Sequence, residues 1–215
     1  MKILYDNEAK EGFESGWGFS CLIEHGSKKL LFDTGWDGNA LLLNMKKFDI
    51  RPEQIDIIVL SHSHWDHAGG LNYVLHQNAT VYVPSAFTKH MKEEIEKRAA
   101  LVQVTQPQRI TDNIFTLGEL GEDFKEQSLA LKLDKGVFVL TGCAHPGLGN
   151  IIEAAKELGE LYGVMGGFHG FEDIRSLEKL SRIVPCHCTI RKKEILQMYP
   201  GTSELGMAGL VLDLD

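Results

Sequence analysis

The side chains best able to do chemistry are concentrated in Asp56 to Leu71, DIIVLSHSHWDHAGGL. Three histidines and an aspartate, His62, His64, Asp66 and His67, follow an apolar run and precede the pair Gly69 and Gly70. A short apolar run ending in a polar cluster reads as a buried strand that delivers a loop. Successive strand-like residues alternate faces, so His62 and His64 can point the same way. Polar groups packed this tightly at a strand end are costly without a shared partner. Such a loop can present imidazole and carboxylate to one or two metal ions. A cluster of this spacing reads as a metal site rather than as packing.

The last third of the chain repeats the pattern in a looser form. Three apolar runs, Val137 to Leu140, Leu161 to Met165 and Arg182 to Val184, run into TGCAHPG, GGFHG and PCHCT. Each therefore finishes near a histidine: His145, His169 and His187. In layered α/β folds, ligands gather at the carboxyl ends of strands. His169 has three readings: a substrate hydrogen bond, acid–base work or metal binding. Cys186 and Cys188 read as packing, since small buried Cys is common core material. The remaining histidines, His25, His76 and His90, follow no such run and read as surface or packing residues. Trp17, Phe19 and Trp36 either line a pocket or belong to the core.

The elements that must position these groups can be read from periodicity. Lys2 to Tyr5 is a strand. Gly18 to His25 and Lys28 to Asp33 form a hairpin about Gly26-Ser27. Asp37 caps a helix through about Phe48, with Leu41, Leu42 and Met45 on one face. Asp56 to Ser61 is the strand carrying the histidine cluster, and a helix from about Asp66 to His76 follows. Thr80 to Val83 is a strand, and Ser85 to Arg98 an amphipathic helix built on Phe87, Met91 and Ile95. Leu101 to Val104, Ile114 to Leu117 and Ser128 to Leu133 are strands, with a turn at Asp134-Lys135-Gly136. The three histidine-terminated strands of the last third alternate with helices at about Gly149–Leu158, Asp173–Leu180 and Ile190–Met198, and Gly209 to Leu214 is a closing strand. No linker or repeat marks a boundary, so a single domain over 1–215 is expected. Periodicity by itself gives a layered α/β or α+β fold.

Composition narrows the partners. A chain with 43% hydrophobic and 24% charged residues is an ordinary soluble globular protein. Its net charge of −8 argues against a generic phosphate-backbone binder, so a nucleic-acid partner is not expected. The N-terminus lacks the apolar core of a signal peptide and no run approaches membrane-spanning length, so neither secretion nor a membrane partner is expected. Four sparse cysteines read as reduced thiols, which places the protein in the cytoplasm. Nothing in the pattern sets an oligomeric state.

SHSHWDH matches the H-x-H-x-D-H signature of the metallo-β-lactamase superfamily, and Phe32-Asp33-Thr34-Gly35 strengthens the match. The runs LLFDTGWDGNALLLN, IDIIVLSHSHWDHAGGL, TGCAHPG, GGFH and PCHCT resemble the branch that contains dihydropterin–ribofuranosylaminobenzene 5′-phosphate synthase, although the stretch from about Ser85 to Gly121 looks shorter here. The resemblance implies a four-layer αββα sandwich. It also implies one ion on His62 and His64 and another on Asp66 and His67, with His187 as the late ligand and His145 as the best remaining candidate. Such donors suit Zn²⁺, Mn²⁺ or Fe²⁺. Water bound there becomes a nucleophilic hydroxide near neutral pH, oriented by Asp66, which with His169 is a candidate catalytic residue. Asp33 either orients a ligand or is a turn residue. Cys143 stands where relatives carry a bridging aspartate, and is either a buried thiol or a bridging thiolate. The leading function the resemblance implies is a metal-dependent hydrolase of an ester, thioester, lactone or phosphoester, with a small-molecule substrate. The alternatives are a synthase-like transferase, a diiron redox protein and a non-catalytic metal-binding module.

Overall fold

The computed structural model describes residues 1–214. The chain divides into two compact units, one built on Met1–Val104 with Met207–Asp213, the other on Thr105–Gly206. Each holds one six-stranded mixed sheet flanked by helices.

In the first unit the strands are β1 (Lys2–Tyr5), β2 (Ser20–His25), β3 (Lys28–Phe32), β4 (Ile57–Val59), β5 (Thr80–Pro84) and β6 (Ala100–Val104). They lie side by side in that order. The first two pairings are antiparallel and the last three parallel. Helices α1 (Gly38–Lys47), α2 (Trp65–Ala68), α3 (Leu71–Val74) and α4 (Lys89–Glu96) make the crossovers. Leu41 and Met45 of α1, Leu71 and Val74 of α3 and Ile95 of α4 pack with Leu22, Leu31, Ile58 and Val81 of the sheet. The alternate strand residues, including Cys21, Leu30, Phe32 and Val59, are buried as well. Burial on both faces accounts for the near-continuous apolar runs in the sequence.

Asp37 caps α1 as its position suggested, its side chain accepting from the Asn39 amide. The helix closes on Asp49 in the left-handed region, with the Ile50 amide on the Met45 carbonyl at 3.0 Å and the Asp49 amide on Lys46 at 3.1 Å. This is the Schellman arrangement, and the Met45–Ile50 apolar contact that accompanies it is present.

The second unit contains β7 (Gln108–Arg109), β8 (Ile114–Thr116), β9 (Leu129–Leu133), β10 (Gly136–Thr141), β11 (Leu161–Gly167) and β12 (Arg182–Cys186). Its sheet order is β12-β11-β10-β9-β8-β7. Strands β7 to β10 form an antiparallel meander, and β10, β11 and β12 are parallel. Helix α5 (Leu148–Lys156) packs Leu148, Ile151, Ile152 and Ala155 onto Val137, Val139, Val164 and Ile183, and α6 (Lys192–Met198) adds Ile195.

Several expected elements differ. The helix expected over Asp66 to His76 is two single turns separated at Gly69-Gly70. A side chain on Gly69 would meet the Trp36 and Trp65 carbonyls, and one on Gly70 the Thr34 carbonyl. Close backbone approach therefore sets the break. The helix expected at Asp173–Leu180 is only a 3₁₀ segment, Ile174–Leu177. Its buried residues Ile174, Leu177 and Leu180 recur every three positions, the 3₁₀ period rather than the α period. The closing strand expected at Gly209–Leu214 is reduced to one bridge between Val211 and Lys2. The strand β7 has no counterpart in the sequence reading, because its two residues are polar and exposed.

Candidate metal centre

In the first unit, parallel pairing of β3 with β4 brings Asp33 beside the end of the next strand, where the Asp33 amide donates to the Val59 carbonyl at 2.8 Å. Its buried carboxylate accepts the Ser61 amide at 2.6 Å, the Ser61 hydroxyl at 2.7 Å and His67 Nδ1 at 2.7 Å. A carboxylate with these partners acts only as acceptor, so His67 carries its proton on Nδ1 and presents Nε2 as a donor atom for a metal. The Ser61 hydroxyl spends its single proton on Asp33. Its lone pair therefore takes His62 Nδ1–H, 2.9 Å away. That fixes His62 with Nε2 outward, 3.0 Å from His64 Nδ1. Two imidazoles are thus aimed by one buried carboxylate, the arrangement that orients metal-binding histidines generally.

The rest of the Asp-Thr-Gly turn clamps the same loop. Thr34 donates its amide and hydroxyl to the His67 carbonyl at 2.7 and 2.9 Å, and the Gly35 carbonyl accepts the Gly70 amide at 3.1 Å. Gly35 adopts φ 64° with its Cα against the Tyr5 ring, so no other residue fits there. Asp66 lies 3.9 Å from His67 Nε2, and its Oδ2 accepts Trp17 Nε1–H at 2.9 Å. The first unit therefore brings together His62, His64, Asp66 and His67, with Asp33 behind them. Ser61 and Trp17 complete this network; neither stood out as a polar partner in the sequence.

In the second unit the parallel strands β10, β11 and β12 release their carboxyl ends side by side. Cys143, His187 and Cys188 offer donor atoms that all lie within 4.8 Å of one another. The rings of His145 and His169 are 5.0 Å apart. A buried acid, Glu126, holds the Cys143 loop. It accepts the amides of Cys143 at 2.9 Å, Ala144 at 3.0 Å and His145 at 2.9 Å, and the Thr141 hydroxyl at 3.3 Å. No sequence motif marks Glu126, which lies far upstream of the loop it organises. Gly166 and Gly167 serve backbone approach: side chains there would meet Thr141, Gly142 and the Cys188 sulfur.

Cys188 thus joins the donor set rather than the core, whereas Cys186 is buried against Gly206. The Cys143 thiol hydrogen-bonds Cys188 and draws its pKa down to about 5, against the opposing effect of burial and with help from His187 and His169. Backbone strain collects at the same strand ends. Asp33, Ala144, His169 and His187 all have positive φ, of 56°, 56°, 47° and 42°. Non-glycine residues held there cost energy and cluster at functional sites. The chemistry of these donors, imidazole and carboxylate in one unit and imidazole with thiol in the other, fits a divalent transition metal.

Comparison with known proteins agrees with this geometry. The family model of the metallo-β-lactamase superfamily matches residues 18–157. The chain belongs to that superfamily, and its two six-stranded sheets with flanking helices are the mixed α/β fold of its structural relatives. An uncharacterized protein of Methanocaldococcus jannaschii is 33% identical, with 88% of this chain and 90% of that protein covered. The 7,8-dihydropterin-6-methyl-4-(beta-D-ribofuranosyl)-aminobenzene-5′-phosphate synthase of the same organism is 31% identical over 86% of this chain and 85% of its own length. Among solved structures, Tm1679, a metal-dependent hydrolase of the β-lactamase superfamily, superposes with a TM-score of 0.84 at 27% identity, covering 99% of this chain and 98% of that one. No helix among the described residues is long and apolar enough to cross a membrane.

Proposed function

We propose that this protein is a metal-dependent hydrolase acting on an ester, thioester, lactone or phosphoester of a small molecule. The observation that carries the reading is the Ser61–Asp33–His67 network, which aims His62 and His67 with their Nε2 atoms outward. The family match, running from residue 18 to 157, supports treating 1–215 as one functional domain. The proposed ligands are His62, His64, Asp66 and His67 of the first unit and His145 and His187 of the second, for one or two ions of Zn²⁺, Mn²⁺ or Fe²⁺. When bound, such an ion polarises the scissile bond and lowers the pKa of water. The chain's own contribution is orientation. Asp33 holds the His67 tautomer, Ser61 holds His62, and Trp17 anchors Oδ2 of the Asp66 carboxylate, the oxygen 3.9 Å from His67 Nε2. His169, on a strained backbone beside His145, is the proposed group for a substrate hydrogen bond or a proton transfer.

Metal analysis of protein purified without chelator, followed by a hydrolysis screen with each candidate ion, tests the proposal. Bound metal with turnover that chelation abolishes and metal restores is the expected result. Protein that takes up no transition metal would sink it. A second reading, a synthase-like transferase, is favoured by the synthase relative at 31% identity. Incubation with a pterin diphosphate and an arylamine partner separates the two, since only a transferase yields a coupled product.

A further inference from the structure

The four cysteines are all thiols, and they sit in unlike places. Cys21 and Cys186 are completely buried, and each donates to a carbonyl of its own strand, Leu22 and Val184. Cys143 is buried in the turn that follows β10. Cys188, in the turn that follows β12, is the one thiol partly open to solvent. A small oxidant arriving from solution therefore meets Cys188 first.

Cys143 and Cys188 are 45 residues apart in sequence, and β11 runs between the strands that carry them. Side chains on a middle strand normally keep such neighbours from meeting. Here β11 ends in Gly166 and Gly167. A side chain at Gly167 would come within 2.6 Å of Cys188 Sγ and 3.2 Å of the Cys143 Cα, so its absence opens the space in which the two cysteines meet. Cys188 Sγ reaches the Cys143 carbonyl at 3.8 Å, and the Cys143 thiol hydrogen-bonds Cys188. The two sulfurs lie within 4.8 Å of each other, and a ring nitrogen of His187 lies within the same distance of both. Each cysteine adjoins a residue in the left-handed region, Ala144 at φ 56° and His187 at φ 42°, which turns its backbone away from the strand direction. Glu126 fixes one side of the pair by accepting the Cys143 amide at 2.9 Å.

We propose that Cys143 and Cys188 are an oxidative modification site, which hydrogen peroxide converts to a disulfide over Gly167 and so removes both thiols from the donors around His187. The disulfide is independent of the metal-dependent reading above, whereas its effect on metal rests on that reading. The Cys188 sulfur attacks one peroxide oxygen. The O–O bond breaks, Cys188 becomes a sulfenic acid, and the other oxygen leaves as water with the thiol proton. The Cys143 sulfur then attacks the Cys188 sulfur. The S–S bond forms, the S–O bond breaks, and the departing hydroxide leaves as water with the Cys143 proton. Two thiols and one peroxide give one disulfide and two waters, the sulfurs losing the two electrons that peroxide gains. An accessible cysteine beside a second one that resolves it is the usual arrangement of redox-sensing thiols. Since the thiolate is the form that ligates metal, the disulfide has no such donor to offer.

The test treats the full-length protein, Zn²⁺-loaded and metal-free, with hydrogen peroxide. The products are alkylated, digested without reductant and mapped by mass spectrometry. Metal content before treatment, and Zn²⁺ affinity against a chromophoric chelator before and after it, are measured on the same samples. The expected product is a peptide pair joined through Cys143 and Cys188 and separated by dithiothreitol, with Cys21 and Cys186 alkylated only after denaturation. Zn²⁺ affinity should fall about tenfold or more and return on reduction, the scale for losing groups that support a metal. Cys143→Ser leaves Cys188 without its partner, so peroxide should carry Cys188 on to sulfinic acid, which dithiothreitol does not reverse. Cys188→Ser should leave Cys143 unmodified under the same treatment. The wild-type protein, which needs no substitution to be read, decides the matter. Absence of the joined peptide from both forms overturns the site, as does Cys188 sulfinic acid beside an unchanged Cys143 thiol. A disulfide that leaves Zn²⁺ affinity unchanged overturns the effect on metal. Protein that takes up no metal before treatment overturns the metal-dependent reading instead, whatever the thiols do.

Discussion

Glu126→Gln offers the sharpest test of how the second cluster is assembled. Glu126 is fully buried, and its two oxygens accept three backbone amides and one hydroxyl. Gln keeps the shape but offers one oxygen. If that oxygen replaces the one that serves Thr141, Cys143 and Ala144, the NH₂ group confronts the His145 amide, and a donor meets a donor. A hydrogen bond to a charged group is worth roughly 1.5–3 kcal/mol, and the remaining two amide bonds fall to the neutral value. With about 1.5 kcal/mol for the lost bond, the lower end of that range, and about 0.75 kcal/mol for each weakened one, the loss is about 3 kcal/mol. For a chain of this size each kcal/mol moves Tm by roughly 2–4 °C, so the variant should melt about 6–12 °C lower. Differential scanning calorimetry of metal-free protein measures this without any contribution from a bound ion. Hydrogen exchange should show the Cys143, Ala144 and His145 amides losing protection while those of α5 keep theirs. A Tm within about 2 °C of wild type, with those three amides still protected, would refute the claim that Glu126 holds the loop.

Other expectations follow from the first unit and the thiols. Replacing both His62 and His64 by Ala should lower metal content at least about tenfold while far-UV circular dichroism stays near native, and full occupancy in elemental analysis would exclude them as ligands. Asp33→Asn should weaken metal binding by roughly 10–100-fold without touching the metal itself, because its NH₂ group must face a donor, either the Ser61 amide at one oxygen position or the Ser61 hydroxyl and His67 Nδ1–H at the other; a competition titration reads this, and wild-type affinity would remove Asp33 from the network. Burial pushes the Cys21 thiol up to about 12, whereas Cys188 is drawn down to about 5. Between pH 6 and 8, roughly, iodoacetamide should therefore modify Cys188 in metal-free protein and leave Cys21 intact until unfolding, with peptide mass mapping as the assay. The sign for Cys21 is that of an acid whose folded pKa is raised. It contributes stability below its unfolded pKa, and that contribution fades as pH rises from there toward 12.

Much of this architecture was legible because the relevant signals are local. The strand at Ile57, the hairpin at Gly26-Ser27 and the Asp37 cap each rest on a few adjacent residues. The histidines were visible because strand ends place them within a few positions of apolar runs. What stayed hidden depends on partners distant in sequence. Asp33 could be a turn residue or a ligand-orienting one until β3 paired with β4 and set it against Ser61 and His67. Glu126 meets its amides across a hairpin, and no local pattern encodes that. Cys188 looked like Cys186, two residues away and on the same face of any continued strand, yet β12 ends at Cys186 and His187 turns the backbone at φ 42°, so one sulfur meets Gly206 and the other Cys143. The broken helix at Gly69-Gly70 depends on backbone carbonyls supplied by Thr34 and Trp36.

The positive-φ residues show where this protein can be made sturdier and where it cannot. Among the five described non-glycine residues with positive φ, Asp49 alone lies at a helix end, in the Schellman position after α1, away from the histidine-bearing strand ends. Glycine is the usual occupant of that position, so Asp49→Gly should relieve about 1–2 kcal/mol of left-handed strain and lose about 0.5–1 kcal/mol to glycine's freedom in the unfolded chain, a net gain of up to about 1 kcal/mol. The same exchange at His169 or His187 would relax the backbone equally well but delete an imidazole. A directed-evolution campaign selecting only for heat resistance would thus be drawn to both kinds of position, and a parallel screen for retained metal would separate them. Tolerance to heat and possession of the centre are competing traits at two of these sites and independent ones at Asp49.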